Sequence, residues 1–411
     1  MMRQIVLSKN NLFFYLLLFS YIFGVILYDF LEFDYTDEIL ALLLILFAST
    51  TIWERKNTKE LHLLVWVIGI FSFYAIYSFL IRSNTPQAIL MDFVIQIKPF
   101  LAFYCAWIIA PKFTKQQKKI LSVVCLIMGG IILIAVVTEN MWTFFGHPSR
   151  LATSATVTAL LFFYCSSYSW SDIIAFIILI SISLLSTRSK AYGFWGISVF
   201  LLIYCKVGGS LRLNIKAILA LFVAVFISIT LSWEKIVLYY IDGMMNSEQM
   251  WSRPAMMITA FQILFDYFPF GSGFASFATY ASSVHYSKIY AEYSIDHLYG
   301  ISENWPSFIT DAYYPELAQF GIVGVCLYVS FWVVIMRQSS PLLQKGYYKE
   351  FIIAVLICAF FFIEGIADAT FVHNRGVFIL ILLGLIIPHK SQSDQIIQKQ
   401  EYSPKKTEST I

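Results

Sequence analysis

The chain has 411 residues, of which 59% are apolar and only 13% charged, with a mean hydropathy of +0.73 and a formal net charge of +3. A soluble domain carries about 25% charged residues, so the composition excludes one and predicts an all-α polytopic membrane protein. The small net charge and the lack of a long basic block give no reason to expect nucleic acid as a partner.

A membrane span needs about 20 mostly apolar residues. Twelve runs qualify in chain order: 12–30, 37–53, 62–81, 89–110, 119–138, 151–169, 171–187, 190–206, 215–233, 312–336, 350–367 and 374–388. The first, from about Leu12 to Tyr28, lacks a small-residue cleavage site and reads as a retained span rather than a signal peptide. The connection from Ser166 to Ser171 is tight and the last run is short. Nine spans therefore occupy 1–233, a long polar stretch occupies 234–310, three spans occupy 311–388, and 389–411 reads as a disordered tail rich in Gln, Ser and Lys. All six cysteines lie inside apolar runs, so neither a disulfide framework nor a metal motif is signalled.

Lysine and arginine collect on the cytoplasmic side of membrane proteins. With a cytoplasmic N-terminus, the cytoplasmic segments hold nineteen of the 28 basic residues and the outer segments eight, with Lys98 inside a span. Both termini are then cytoplasmic and the stretch Glu234–Thr310 lies outside. It carries seven acids against three bases, so it is not a general polyanion trap. It is dense in aromatics such as Tyr280, Tyr299, Trp251 and Trp305, which suit either sugar stacking or an interfacial belt. Its histidines, like His147 and His373, show no zinc-binding spacing.

The outer arginines run against the charge rule. Arg150 lies in Gly146-His147-Pro148-Ser149-Arg150, Arg188 in Ser186-Thr187-Arg188-Ser189-Lys190, and Arg253 at the start of a predicted helix with Ser252 as N-cap and Pro254 at its first position. Arginine's planar fork suits phosphate oxygens; each residue also fits snorkelling to lipid phosphates or pairing with an acid. Within spans, charge defaults to a functional expectation. Asp92 and Lys98 are six residues apart and face different ways, so each expects a partner on another helix. Glu364 and Asp368 are an i, i+4 pair, with Arg375 across a short turn.

Taken in order, these segments resemble the superfamily of Wzy-type O-antigen polymerases and O-antigen ligases of bacterial inner membranes. The matching pieces are Ile97-Lys98-Pro99-Phe100, the Gly146–Arg150 segment, Leu185–Ser189 with its Ser-Arg ending, the arginine-led run Arg253–Phe274 ending in Pro and Gly-x-Gly, and Thr310–Gly324 with its Gly-x-x-Gly. The long outer loop before the tenth span also matches. Ligases of the superfamily carry His-Asn eleven and ten residues before the first of those glycines; here the positions are Thr310 and Asp311, which favours a polymerase.

The resemblance implies a glycosyltransferase, without metal or cofactor, acting on undecaprenyl-diphosphate-linked oligosaccharide at the outer face of the bacterial inner membrane. A chain-length regulator protein is an implied partner alongside membrane lipid. Arg188 and Arg253 are assigned to the diphosphate, Arg150 is a third ligand, and Arg375, Tyr313 and Lys98 are further substrate-binding residues. Asp311 is expected to orient or deprotonate the acceptor hydroxyl, its alternative being a helix cap. A ligase that moves glycan to lipid A, and a transporter of lipid-linked oligosaccharide, are the competing functions.

Overall fold

The computed structural model describes residues 8–31, 36–55, 58–208, 230, 237–238 and 250–388. The expected ninth span lies almost wholly outside the described residues, as do the beginning of the expected outer stretch and the tail 389–411. The described chain is helical, with no strand among the described residues. Six helices are long and apolar enough to cross a bilayer: Lys9–Ile26, Lys59–Ile81, Pro86–Ile109, Lys115–Val137, Ser189–Val207 and Tyr313–Leu343. Their length and composition mark a membrane-embedded protein.

The helices used below are α1 Lys9–Tyr21, α2 Tyr28–Leu31, α3 Thr36–Arg55, α4 Thr58–Ile81, α5 Pro86–Ile109, α6 Lys115–Val137, α7 Met141–Phe145, α8 Pro148–Cys165, α9 Trp170–Ser181, α10 Ser189–Gly208, α11 Ser252–Asp266, α12 Tyr280–Val284, α13 Ile289–Glu292, α14 Tyr313–Glu316, α15 Gly321–Gln344, α16 Tyr348–Glu364 and α17 Asn374–Ile386. The other expected spans within the described residues fall on α3, α8, α9, α16 and α17, which are shorter or less apolar than the six. At 13 residues α17 is about 20 Å long, too short for a hydrocarbon core of about 30 Å.

Two kinds of helix result. On α4 and α6 large apolar side chains such as Trp66, Leu80, Ile127 and Ile134 point outward, as lipid-facing surfaces do when hydrocarbon is the solvent. By contrast α8 and α17 are buried along nearly their whole length. Small residues let α17 press on α5: a Cβ on Gly384 would stand 2.5 Å from the Phe103 carbonyl oxygen and 3.0 Å from Ala106 Cβ. Close approach through small residues is the usual means of packing helices in lipid, where apolar burial gives no drive.

The described part of the long polar stretch builds its own small core from α11, α13 and the turns around them, with Met256, Ile263, Phe277, Tyr290 and Ile301 at its centre. Backbone contact ties this cap to the bundle. Gly271 (φ +80°) and Gly321 (φ +60°) meet so closely that a Cβ on either would fall 2.2–2.3 Å from the other's nitrogen. The Gly-x-Gly and Gly-x-x-Gly runs singled out in the sequence thus touch in space. The Gly273 N–H donates to the Gln319 carbonyl at 2.9 Å, the Phe274 N–H to Ser78 Oγ at 2.7 Å, and the Ala275 N–H to Asp92 Oδ2 at 2.6 Å. Asp92 therefore anchors the loop, with Gln96 one turn along α5 donating to its other oxygen at 3.2 Å.

Candidate functional site

Four helices begin at one cavity. The N-terminal residues of α8 (Ser149, Arg150), α10 (Ser189, Lys190), α11 (Ser252, Arg253) and α17 (Asn374, Arg375) all line a single space of about 2160 Å³. The first amide groups of a helix lack internal partners and carry partial positive charge, so acids are favoured there. These four have none in the first turn and each has a base instead. The positive ends of four helices and four basic side chains therefore point into the same volume, an arrangement suited to a polyanion.

All four of these charges are held by carboxylates, as is that of Lys98. Asp29, at α2, receives Arg150 at 2.7 Å and also pairs with Arg375, whose Nε donates to Ser154 Oγ at 2.7 Å. Lys98 leaves α5 to pair with Glu38 of α3 at 2.9 Å, an interhelical partner as expected. Lys190 bridges Glu364 at 2.7 Å and Asp368 at 2.8 Å. Arg253 donates from Nε and Nη2 to Asp311 Oδ2 at 3.0 and 2.9 Å. The resulting ties run across the bundle, so each fixes two elements as well as two charges.

Arg188 differs. Among the described residues no carboxylate pairs with it; its Nη2 lies 2.9 Å from His147 Nε2. The other ring nitrogen, Nδ1, accepts the Ser149 N–H at 3.2 Å. A neutral imidazole has one acceptor nitrogen, so two donors compete for one lone pair. Burial, together with the Arg188 charge, holds His147 below its ordinary value of 6.5. An acceptor oxygen placed beside Arg188 and His147 would meet a guanidinium without a carboxylate and an imidazole N–H. Thr187 takes the left-handed conformation (φ +56°) to turn the chain from the 3₁₀ turn Ile182–Ser186 into α10, which puts Arg188 at the mouth of that helix.

Of the residues assigned from the sequence, Arg150, Arg188, Arg253, Arg375, Lys98 and Asp311 all line the cavity. Tyr313 does not: it is buried, with ring centroids 4.9 Å from Phe371 and 5.5 Å from Tyr328. Ser252 is the first helical residue rather than the N-cap; Trp251 holds the cap position, and Ser252 Oγ donates to the Tyr299 carbonyl. Glu364 ends α16 and Asp368 lies beyond it, and both turn to Lys190 rather than to Arg375.

The cavity also holds residues to which the sequence reasoning gave no site role: Asp29, Glu38, Lys190, Glu316 and the two histidines His147 and His373. Charge matching would have found some of them, because an arginine at the end of an apolar helix needs an acid at a neighbouring helix end. Trp251, Tyr280, Tyr299 and Phe308 add aromatic surface to the lining. Among the described residues no group of three or more His, Cys, Asp or Glu is placed to hold a metal ion. No protein-family model matches the chain, and no curated protein matches it.

Proposed function

We propose that the chain is a polysaccharide polymerase of the O-antigen or capsule type, joining undecaprenyl-diphosphate-linked repeat units at the outer face of the bacterial cytoplasmic membrane. The observation that carries this reading is the convergence of four helix N-termini, each with a base in its first turn, on one cavity of a membrane-embedded protein. A membrane substrate rich in negative charge fits that space, and a lipid diphosphate offers such charge at the end of an apolar anchor.

In the proposed reaction the acceptor hydroxyl oxygen attacks the anomeric carbon of the donor glycan. The bond from that carbon to the diphosphate oxygen breaks, and the lipid diphosphate leaves with the electron pair. Arg188, free of a carboxylate among the described residues, meets the departing charge, while Arg253 is held in position by Asp311. One guanidinium about 4 Å from a phosphate is worth about 4 kcal/mol at an effective dielectric of 20. Such stabilisation counts for rate because the charge on the leaving oxygen grows in the transition state. The aromatic surface of Trp251, Tyr280 and Tyr299 provides faces for sugar rings.

The reading is tested in a strain lacking the native gene. Its glycan ladder should collapse to a single repeat attached to its normal acceptor; long unattached chains would mark a ligase instead. Arg188→Ala, at normal protein level, should fail to restore the ladder, with a loss of about 100-fold or more expected from one lost charge contact of this size. Normal chain lengths with Arg188→Ala would refute its role at the diphosphate.

A further inference from the structure

We infer that Glu316, rather than Asp311, takes the proton from the acceptor hydroxyl. The inference rests on the polymerase reading above and adds to it the group that performs the proton transfer.

Five carboxylates line the cavity, and their lone pairs are committed very differently. Asp29 faces two arginines, Glu38 pairs with Lys98, Asp368 with Lys190, and Asp311 receives two N–H donors of Arg253 on one oxygen. Glu316 alone among them has no basic partner within the described residues. Its Oε1 accepts from Gln96 Nε2, the amide that also donates to Asp92. Its Oε2 takes no hydrogen bond from the described residues, and Glu316 contributes to the cavity wall although only 2% exposed. A base must have a lone pair within reach of the proton it removes. Oε2 offers one on a carboxylate that no cation among the described residues holds, whereas Asp311 shares its charge with Arg253 through Oδ2.

The local fold explains how a carboxylate comes to be there. α14 is one turn long and passes through a 3₁₀ turn, Leu317–Phe320, into α15 at Gly321. The chain is thus bent where Gly321 meets Gly271, and the Tyr313 and Tyr314 N–H groups both donate to the Gly365 carbonyl, at 3.0 and 3.1 Å. The segment carrying Glu316 is pinned at both ends, while Gln96 fixes its carboxylate from α5. A base so held needs no reorganisation when the acceptor arrives.

The proton balance is closed. The hydroxyl proton passes to Glu316 as the oxygen bonds to the anomeric carbon, and the lipid diphosphate leaves with the electrons of the broken bond. Glu316 then returns the proton to solvent or to the departed phosphate.

The test uses the full-length protein in lipid nanodiscs. Lipid-linked repeat units serve as substrate for elongation, and undecaprenyl diphosphate alone serves as the binding probe. Glu316→Gln keeps the size and the acceptor for Gln96 but removes the base. Elongation should fall at least about 100-fold, with binding of the probe within about threefold of wild type. Elongation by Glu316→Gln within a few-fold of wild type overturns the assignment. If that variant does not reach the membrane, Glu316→Asp decides: a displaced pH profile for elongation supports the role, and an unchanged profile overturns it. Failure of the wild-type protein to elongate the substrate at all would instead remove the polymerase reading on which the inference stands.

Discussion

The contact between Gly271 and Gly321 decides whether the cap, and with it Arg253, stays where the cavity needs it. Gly321→Ala tests this. The new methyl group would lie 2.3 Å from the Gly271 nitrogen, 2.4 Å from the Pro269 carbonyl oxygen and 2.6 Å from the Phe270 carbonyl carbon, all backbone atoms. The residue also sits at φ +60° and ψ −167°, a region that only glycine enters readily. The conformational cost is about 1–3 kcal/mol, and forced overpacking adds about 1–3 kcal/mol. A loss of about 2–6 kcal/mol follows from these together.

Two controls separate the contributions. Gly346 has φ +80° with nothing within 4 Å of a built Cβ, so Gly346→Ala carries the dihedral cost alone, about 1–2 kcal/mol. Gly130 lies within α6 with equally open space, and Gly130→Ala should be neutral or stabilising by up to about 1 kcal/mol. Unfolding of the purified protein in detergent, followed by thermal scanning with fluorescence-detected size exclusion, gives the order. Gly130→Ala should be the most stable, Gly346→Ala intermediate and Gly321→Ala least. Proteolysis of the cap should rise in Gly321→Ala only. If Gly321→Ala is as stable as Gly346→Ala, the two glycines do not meet as described.

Two further outcomes concern charge. Lys190 and Glu364 have side chains only 9% and 5% exposed, and removing one member of such a pair costs about 3–5 kcal/mol. Lys190→Met should therefore lower the unfolding temperature sharply, with Lys190→Met/Glu364→Gln recovering part of the loss; a fully stable single variant would refute the pairing. His147, held below 6.5 by burial and by Arg188, is neutral at neutral pH. The unfolded chain binds this proton first as pH falls through 6.5, so the ligand-free protein loses stability on acidification through this group. A diphosphate beside Arg188 offsets the opposing charge and raises the proton affinity of His147. Binding of undecaprenyl diphosphate should consequently strengthen from pH 7.5 to 5.5 more in wild type than in His147→Gln, as read by thermal shift; equal pH dependence would refute the coupling.

The membrane class and the positions of the long helices were legible because they depend on local runs of apolar side chains. The arginines Arg150, Arg188 and Arg253 were legible for the same reason: charge beside an apolar run is costly wherever it occurs, so they stand out without any knowledge of their neighbours. Their partners were not legible. Arg375 is near Asp368 in sequence but pairs with Asp29, and Lys190 rather than Arg375 holds Glu364 and Asp368. Tyr313 was assigned to substrate through the resemblance, yet its ring is packed against Phe371 and Tyr328.

Sequence by itself determined that this chain is built of apolar helices and that a few basic residues sit at the ends of apolar runs. Both follow from transfer energies that each residue pays independently of the rest of the fold. Tertiary structure decided that Arg150, Arg188, Lys190, Arg253 and Arg375 share one cavity, that the Arg188 guanidinium meets a histidine and no carboxylate among the described residues, and that Glu316 faces the same space without a basic partner there. Those facts depend on how α2, α5, α8, α10, α11, α14 and α17 come together. Pairing energies vary steeply with distance, and side chains separated by hundreds of residues have no distance until the helices have packed.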